Sequence, residues 1–332
     1  MSEPLATQPP KSPLLILLPL RDDWGGLAGL LPEIAEALRA DGRSARVLVV
    51  DDGSESQPAG APPPGEGVER VDVLRLRKNL GHQQAIAVGL AWCAKHEPER
   101  SVVIMDADGQ DDPHDIPRLC AASEAEPGEP VCFAERTRRA EGFRFRFFYL
   151  IYRLSHWLLT GRRIRFGNFS FVPARRVRQL AVSPELMAHY AAAVVKSRVP
   201  YVCVPTRRRS RSSGESSMNF VALVVHGFNA LSVFGDEVVT RVLLAGGAVM
   251  AACLAGGAVA VGVRLFSDLA VPGWATTVLA FLLILFFQAV ATCLVASFVI
   301  LSIKHRAPAI PERDHGAFVE SFGPYPGMGG GA

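Results

Sequence analysis

The chain has 332 residues, of which 49% are hydrophobic and 20% charged, with a net charge of +3. It is long for one average domain and too apolar for an ordinary soluble enzyme, and the charge is too slight to argue for a nucleic-acid partner. Six cysteines, at 93, 120, 132, 203, 253 and 293, stand far apart without a zinc pattern. A reducing compartment suits them, and Cys120, Cys132 and Cys203 read as small core residues.

Residues 1–12 are polar, lack the apolar run of a signal peptide and are expected to be disordered. Leu14 to Leu20 is a continuous apolar run, as a buried parallel strand requires. Gly25–Gly26 opens a helix pattern that runs to Ala40, and Ala45 to Val50 is a second buried strand ending at Asp51-Asp52-Gly53-Ser54. Residues 57–67 read as a proline- and glycine-rich surface loop. Val71 to Leu76 alternates like a strand, and Gln83 to Lys95 is helical. Ser101 to Met105 is a further strand, followed by Asp106. A helix starts at Asp112-Pro113, with Asp115 in its first turn, and Val131 to Ala134 is a fifth strand, closely followed by Arg136. Strands alternating with helices predict an α/β fold, a mostly parallel sheet with helices on both faces. Ligands bind such sheets beyond the carboxyl ends of the strands. Asp51 and Asp52, Asp106 and Asp108, and Arg136 should therefore meet on one edge.

Aromatic residues and arginines interleave over 143–160, which suits a helix at a membrane interface or one packed on the sheet with its arginines in water. Residues 13–217 read as the soluble domain and 218–237 as a juxtamembrane amphipathic helix. Residues 238–306 read as a hairpin of two transmembrane helices. The uncharged windows are 242–263, roughly 33 Å as a helix, and 275–303. Arg241 precedes the first window and Lys304 and Arg306 follow the second, so both flanks and the soluble domain are expected in the cytoplasm, at the cell's inner membrane. Glycine pairs at 246–247 and 256–257 permit close helix packing. The proline- and glycine-rich tail 307–332 is expected to be disordered.

Asp106-Ala107-Asp108 is the sharpest chemical feature. Two carboxylates directly after an apolar strand can hold one hard cation, Mg²⁺ or Mn²⁺, which shares its oxygen ligands with substrate phosphates. They could instead cap the next helix, but Asp112 and Asp115 are placed for that. Asp51-Asp52-Gly53-Ser54 suits either a tight turn or a carboxylate that accepts a hydrogen bond from a base or ribose. Arg207, Arg208, Arg209 and Arg211, among serines and Gly214, make a basic segment able to grip a diphosphate or an acceptor phosphate.

Leu18-Pro19-Leu20, Val49 to Ser54, Asn79-Leu80-Gly81-His82-Gln83 and Met105 to Pro113, in that order, closely resemble family 2 glycosyltransferases with the GT-A fold. Within that family the chain resembles the dolichol-phosphate mannose synthase and bactoprenol glucosyltransferase branch. Arg136, Arg211 to Ser216 and the two C-terminal spans match that branch as well, so the resemblance covers about 12–306. It implies that Pro19, Asp51, Asp52, Asn79, Gly81 and Asp106 contact the nucleotide and that Asp106, Asp108 and Gln110 surround the metal. It also implies that Asp106, Asp108, Arg136 and Arg211 are catalytic, with Arg136 and Arg211 on phosphates. Asn168, Arg207, Arg208, Arg209 and Ser216 fall on the acceptor side.

The chain departs from the pattern at three sites. Arg21-Asp22-Asp23 replaces Tyr-Asn-Glu, Asn168 stands where many relatives have aspartate, and Ser217 where lysine is common. A phosphate acceptor is already an anionic nucleophile near neutral pH and needs no base, so the asparagine favours it. The reading is inverting transfer of a hexose from a UDP- or GDP-linked donor to polyprenyl phosphate, by an enzyme whose relatives imply an oligomer. The alternatives are a hydroxyl acceptor, with Asp111 or Asp112 as base, and a degenerate nucleotide-sugar-binding membrane scaffold.

Overall fold

A computed structural model describes residues 12–58, 65–136, 157–162, 166–207, 209, 228–266, 273–304 and 308–326. The expectations for 1–11, 143–156 and 218–227 lie outside the described residues.

The apolar runs do form the centre of a sheet. Strand β1 (Leu14–Leu20) pairs in parallel with β2 (Ala45–Asp51) and with β4 (Ser101–Ile104), and β2 pairs in parallel with β3 (Val68–Leu76). Strand β5 (Val131–Arg136) runs parallel to β7 (Tyr201–Thr206), and β6 (Phe166–Val172) lies antiparallel between β5 and β4. Two antiparallel steps leave β5 pointing the same way as β4. The carboxyl ends of β2, β4 and β5 therefore do share one edge, as the alternation of elements predicts. Eight strands are present among the described residues, in the order β7-β5-β6-β4-β1-β2-β3-β8.

The two-residue period of β1 sorts its side chains between two cores. Leu15 and Leu17 face helices α2 (His82–His96), α4 (Ala174–Ala181) and α5 (Tyr190–Lys196). Leu14, Ile16 and Leu18 face α1 (Trp24–Ala40) and α3 (Ile116–Glu124). Helix α2 packs closely because Gly89 has no side chain: a Cβ there would meet Leu17 Cδ1 at 2.7 Å and Val50 Cγ2 at 2.8 Å. Cys120 and Cys132 are buried as expected. Cys203 is exposed instead, because β7 is an edge strand and turns alternate residues to solvent.

The second compact unit contains 147–163 and 234–308. Its helices α6 (Gly235–Phe266) and α7 (Trp274–Lys304) are long and apolar enough to cross a membrane, with windows of mean hydropathy 2.1 and 2.7 that are 6% buried. They turn Leu244, Phe266 and Phe298 outward. Helix α6 starts at Gly235, inside the stretch read as juxtamembrane. Gly246 lies against Cys293 and Gly256 against Leu282, so a larger residue at either position would push the pair apart. Residues 157–160 are helical, and Arg241 Nη1 donates to the carbonyl of Leu158 at 2.6 Å, capping that turn with positive charge. Trp157 and Leu158 are exposed.

The expected disordered tail is a correction. Residues Pro311–Phe318 form helix α8, and Val319–Pro324 form β8, antiparallel to β3. Strand β3 would otherwise end the sheet with unpaired backbone groups, and β8 satisfies them. Phe322 packs on Trp92 with ring centroids 4.7 Å apart, and Tyr325 is buried beside Trp24. Glycine and proline in 323–326 read as disorder only when this partner strand is left out.

Candidate active site

The carboxyl edge is built from three turns. The first follows β2. Asp51 is buried and accepts the Ser54 N–H through Oδ1 at 2.8 Å. Asp52 accepts from Leu80 N at 2.7 Å and from Gly81 N at 2.9 Å, one bond per oxygen. Asn79 Oδ1 also accepts from Gly81 N, at 2.9 Å. Asp52, Asn79 and Gly81 thus form a knot that fixes the start of α2. Burial pushes the Asp52 carboxyl above its usual range, against the lowering effect of those two N–H bonds. Replacing Asp52 with alanine strips two backbone donors of their acceptor. This is expected to cost about 2 kcal/mol, read as a melting-temperature drop of roughly 5 °C by scanning calorimetry.

The second turn carries Arg21-Asp22-Asp23. Asp22 has φ 54°, a left-handed conformation that aspartate and asparagine tolerate better than most residues. Its Oδ1 accepts from Glu55 N, Ser56 N and Ser56 Oγ at 2.9–3.0 Å, which holds its carboxyl below the usual range. Asp23 caps α1 by accepting from Gly26 N. The departure from Tyr-Asn-Glu thus keeps a turn-former in the strained middle position. Pro19 lies in β1 opposite Val50.

The third turn follows β4. Asp111 Oδ2 accepts from Asp106 N at 3.3 Å, and Asp108 Oδ1 accepts from Gln110 N at 3.0 Å. Asp112 caps the following 3-10 turn through His114 N, whereas Asp115 pairs with Arg118 instead of capping. His82, the first residue of α2, places Nε2 3.2 Å from Asp106 Oδ1. Burial works against its charged form, but Asp106, Asp52 and Asp108 outweigh it and raise its pKa. Asn168 on β6 sets its Nδ2 2.9 Å from the same nitrogen. Its amide is oriented by a chain in which Tyr190 N donates to Gln83 Oε1 and Gln83 Nε2 donates to Asn168 Oδ1. His82, Gln83 and Asn168 therefore join β6 and α2 to the Asp106 loop.

Two oxygen-bearing side chains in one loop suit a hard cation. Among the described residues no three His, Cys, Asp or Glu groups converge as a complete metal cage. Asp106 and Asp108 fit the usual Mg²⁺ arrangement, in which one or two carboxylates hold the ion and substrate phosphates complete its shell.

On the far side of this loop, Arg207 lines a small cleft with Asp111, Asp112, Asp115, Gly167, Phe169 and Thr206. Arg209 donates its N–H to the Gln110 carbonyl at 2.9 Å, pairs with Glu33 on α1 and lies 3.8 Å from Asp112. The arginine segment thus begins on the loop that bears Asp108 and Gln110. The Arg136 side chain and residues Arg208, Arg211, Ser216 and Ser217 lie outside what the structure describes. Reading the sequence in isolation missed His82 and Gln83 as links to Asn168, although the quoted Gly81-His82-Gln83 segment contains both.

A mixed α/β sheet thus carries an acidic loop and a clamped carboxylate turn at the carboxyl ends of its parallel central strands. The model for glycosyl transferase family 2 matches residues 26–176. The chain is 27% identical over 219 residues to an undecaprenyl-phosphate 4-deoxy-4-formamido-L-arabinose transferase of Enterobacter sp. (strain 638), covering 63% of each protein. The Klebsiella pneumoniae subsp. pneumoniae protein of that name is 27% identical over 229 residues, 66% of this chain and 67% of its own. A crystal structure of glucosyl-3-phosphoglycerate synthase from Mycobacterium tuberculosis, in complex with Mn²⁺, UDP-glucose and phosphoglyceric acid, aligns with a TM-score of 0.47. It is 14% identical and covers 68% of this chain and 79% of that one.

Proposed function

We propose that the chain is a membrane-anchored glycosyltransferase that moves a sugar, a hexose in our reading, from a UDP- or GDP-linked donor to polyprenyl phosphate. The observation that carries this is an acidic nucleotide-type edge on a sheet whose own chain leaves into two membrane-length apolar helices and returns as β8. Relatives named for transfer to undecaprenyl phosphate support the acceptor. Residues 164–233 and 309–332, on either side of the hairpin in sequence, belong to one compact unit. The cationic flanks Arg241, Lys304 and Arg306 favour the cytoplasmic side of the inner membrane.

In this reading Asp51 accepts a hydrogen bond from the base, and Asp106 and Asp108 would hold Mg²⁺ or Mn²⁺. A bound ion would neutralise the diphosphate leaving group as a Lewis acid. The acceptor phosphate oxygen attacks the anomeric carbon in line. The bond to the donor diphosphate breaks, the nucleoside diphosphate leaves with the electron pair, and the sugar is inverted. His82 orients Asp106, and Arg207, beside the acidic loop, faces the acceptor side. No proton need be abstracted from a phosphate acceptor, so Asn168 in place of a carboxylate is compatible with turnover.

The test uses full-length protein in detergent, undecaprenyl phosphate, Mg²⁺ or Mn²⁺, and radiolabelled UDP- and GDP-sugars. Label extracted into organic solvent is the expected result and identifies the sugar. Nucleotide binding with no labelled lipid from any donor would sink the polyprenyl acceptor.

A further inference from the structure

Residues 157–162 lie between β5 and β6 in sequence, yet they belong to the same compact unit as α6 and α7. In the helical turn 157–160, Trp157 and Leu158 are exposed while Thr160 is buried. Arg241 of α6 fixes this turn. Its Nη1 donates to the Leu158 carbonyl at 2.6 Å and reaches the Trp157 carbonyl at 3.3 Å. Gly161 follows with φ 73°, and a Cβ there would collide with the Arg241 guanidinium. Arg162 adds a second tie, with Cζ 5.6 Å from the ring centroid of buried Phe234, the residue before α6.

We propose that the 157–162 turn is a bilayer-contact surface, latched by Arg241 so that Trp157 and Leu158 enter the boundary between phospholipid headgroups and acyl chains. This rests on the reading of α6 and α7 as membrane spans. Three observations select a lipid surface as the occupant. Arg241 is the last charged residue before the uncharged window 242–263, so a turn clamped to it stands where the apolar part of α6 begins. That window turns Leu244 and Leu254 outward, so a bilayer that covers α6 ends at the level of the turn. A tryptophan beside arginines is the residue set that settles at such a boundary, with its ring toward the chains and its cations toward the headgroups. Arg241 therefore has a task beyond its charge, which is to hold an aromatic anchor against the start of the first span.

The test reconstitutes full-length protein in nanodiscs of phosphatidylcholine and phosphatidylglycerol. Tryptophan emission is quenched with lipid brominated either near the glycerol end or near the methyl end of the acyl chain. Of the four tryptophans, Trp24 and Trp92 are buried, so a Trp274→Phe background leaves Trp157 as the exposed one, and Trp157→Phe reports Trp274. Trp157 is expected to lose its emission to the shallow bromine and to keep more of it with the deep bromine. Arg241→Ala and Gly161→Ala should each restore Trp157 emission, the second with the positive charge at 241 still in place, while Trp274 stays quenched. A Trp157 that aqueous iodide quenches and shallow bromine does not overturns the proposal, and so does a Trp157 shielded from both, which would mark a protein partner. Trp157 quenching unchanged in both latch variants overturns the role of Arg241. In each of these cases a quenched Trp274 leaves the membrane spans standing, whereas Trp274 beyond the reach of either bromine overturns the spans themselves.

Discussion

Replacing Asp106 or Asp108 with alanine is expected to reduce formation of lipid-linked sugar by about 10³-fold or more, the scale of removing charge stabilisation from a diphosphate leaving group. Manganese binding, followed by electron paramagnetic resonance, should be lost in the same variants. The fold should survive. Both residues sit in a surface-edge loop rather than in either core, and the loop keeps its remaining anchors, Asp112 on His114 N and Arg209 N on the Gln110 carbonyl. The two variants should still differ. Asp106→Ala also removes the carboxylate beside His82 Nε2, whereas Asp108→Ala leaves that contact in place. A melting temperature near wild type combined with near-complete loss of product would separate a chemical role from a structural one. Retention of product in both variants would remove the acidic loop from the mechanism.

Gly53→Ala is expected to be the most damaging single-methyl change at the site. Gly53 has φ 68°, and a Cβ there would lie 2.7 Å from Asn79 N and 2.8 Å from the Lys78 carbonyl carbon. Both obstacles are backbone, so neither can swing aside as a flexible side chain would. The left-handed conformation costs an alanine about 1–2 kcal/mol, and the displaced segment adds an overpacking cost of about 1–3 kcal/mol. The functional loss follows from what that segment carries. Moving residues 78–81 pulls Leu80 N and Gly81 N off Asp52 and shifts His82 at the start of α2. Calorimetry should show a melting temperature lowered by roughly 10 °C and nucleotide affinity weakened more than tenfold. A variant that melts normally and binds normally would mean that the turn after β2 is not coupled to the 78–81 loop.

Much of this architecture was legible because burial leaves a direct trace in residue type. Leu14 to Leu20 and Val47 to Val50 are unbroken apolar runs, and only a strand covered on both faces needs them. Asp106 directly after such a strand is legible for the same reason. Strand β6 was less legible: Asn168 stood out only as a departure from the pattern, not as part of a strand. Strand β7 alternates, but on an edge with a proline at 205, so its pattern is weak.

The sequence alone determined the parallel centre of the sheet, the shared edge for Asp51 and Asp106, and the two apolar helices. Each depends on local pattern, where hydrophobic periodicity and strand ends act over a few residues. Tertiary structure alone decided the fate of 311–324. A segment rich in charge, glycine and proline becomes a helix and a strand because β3 offers an open edge and Trp24 and Trp92 offer apolar surfaces for Tyr325 and Phe322. It also decided that Asp52 is spent on clamping residues 80–81 rather than left open, and that Glu320 meets Arg75 beside Asp51. These are pairings between residues far apart in the chain. Their energy comes from a partner that composition and periodicity cannot name.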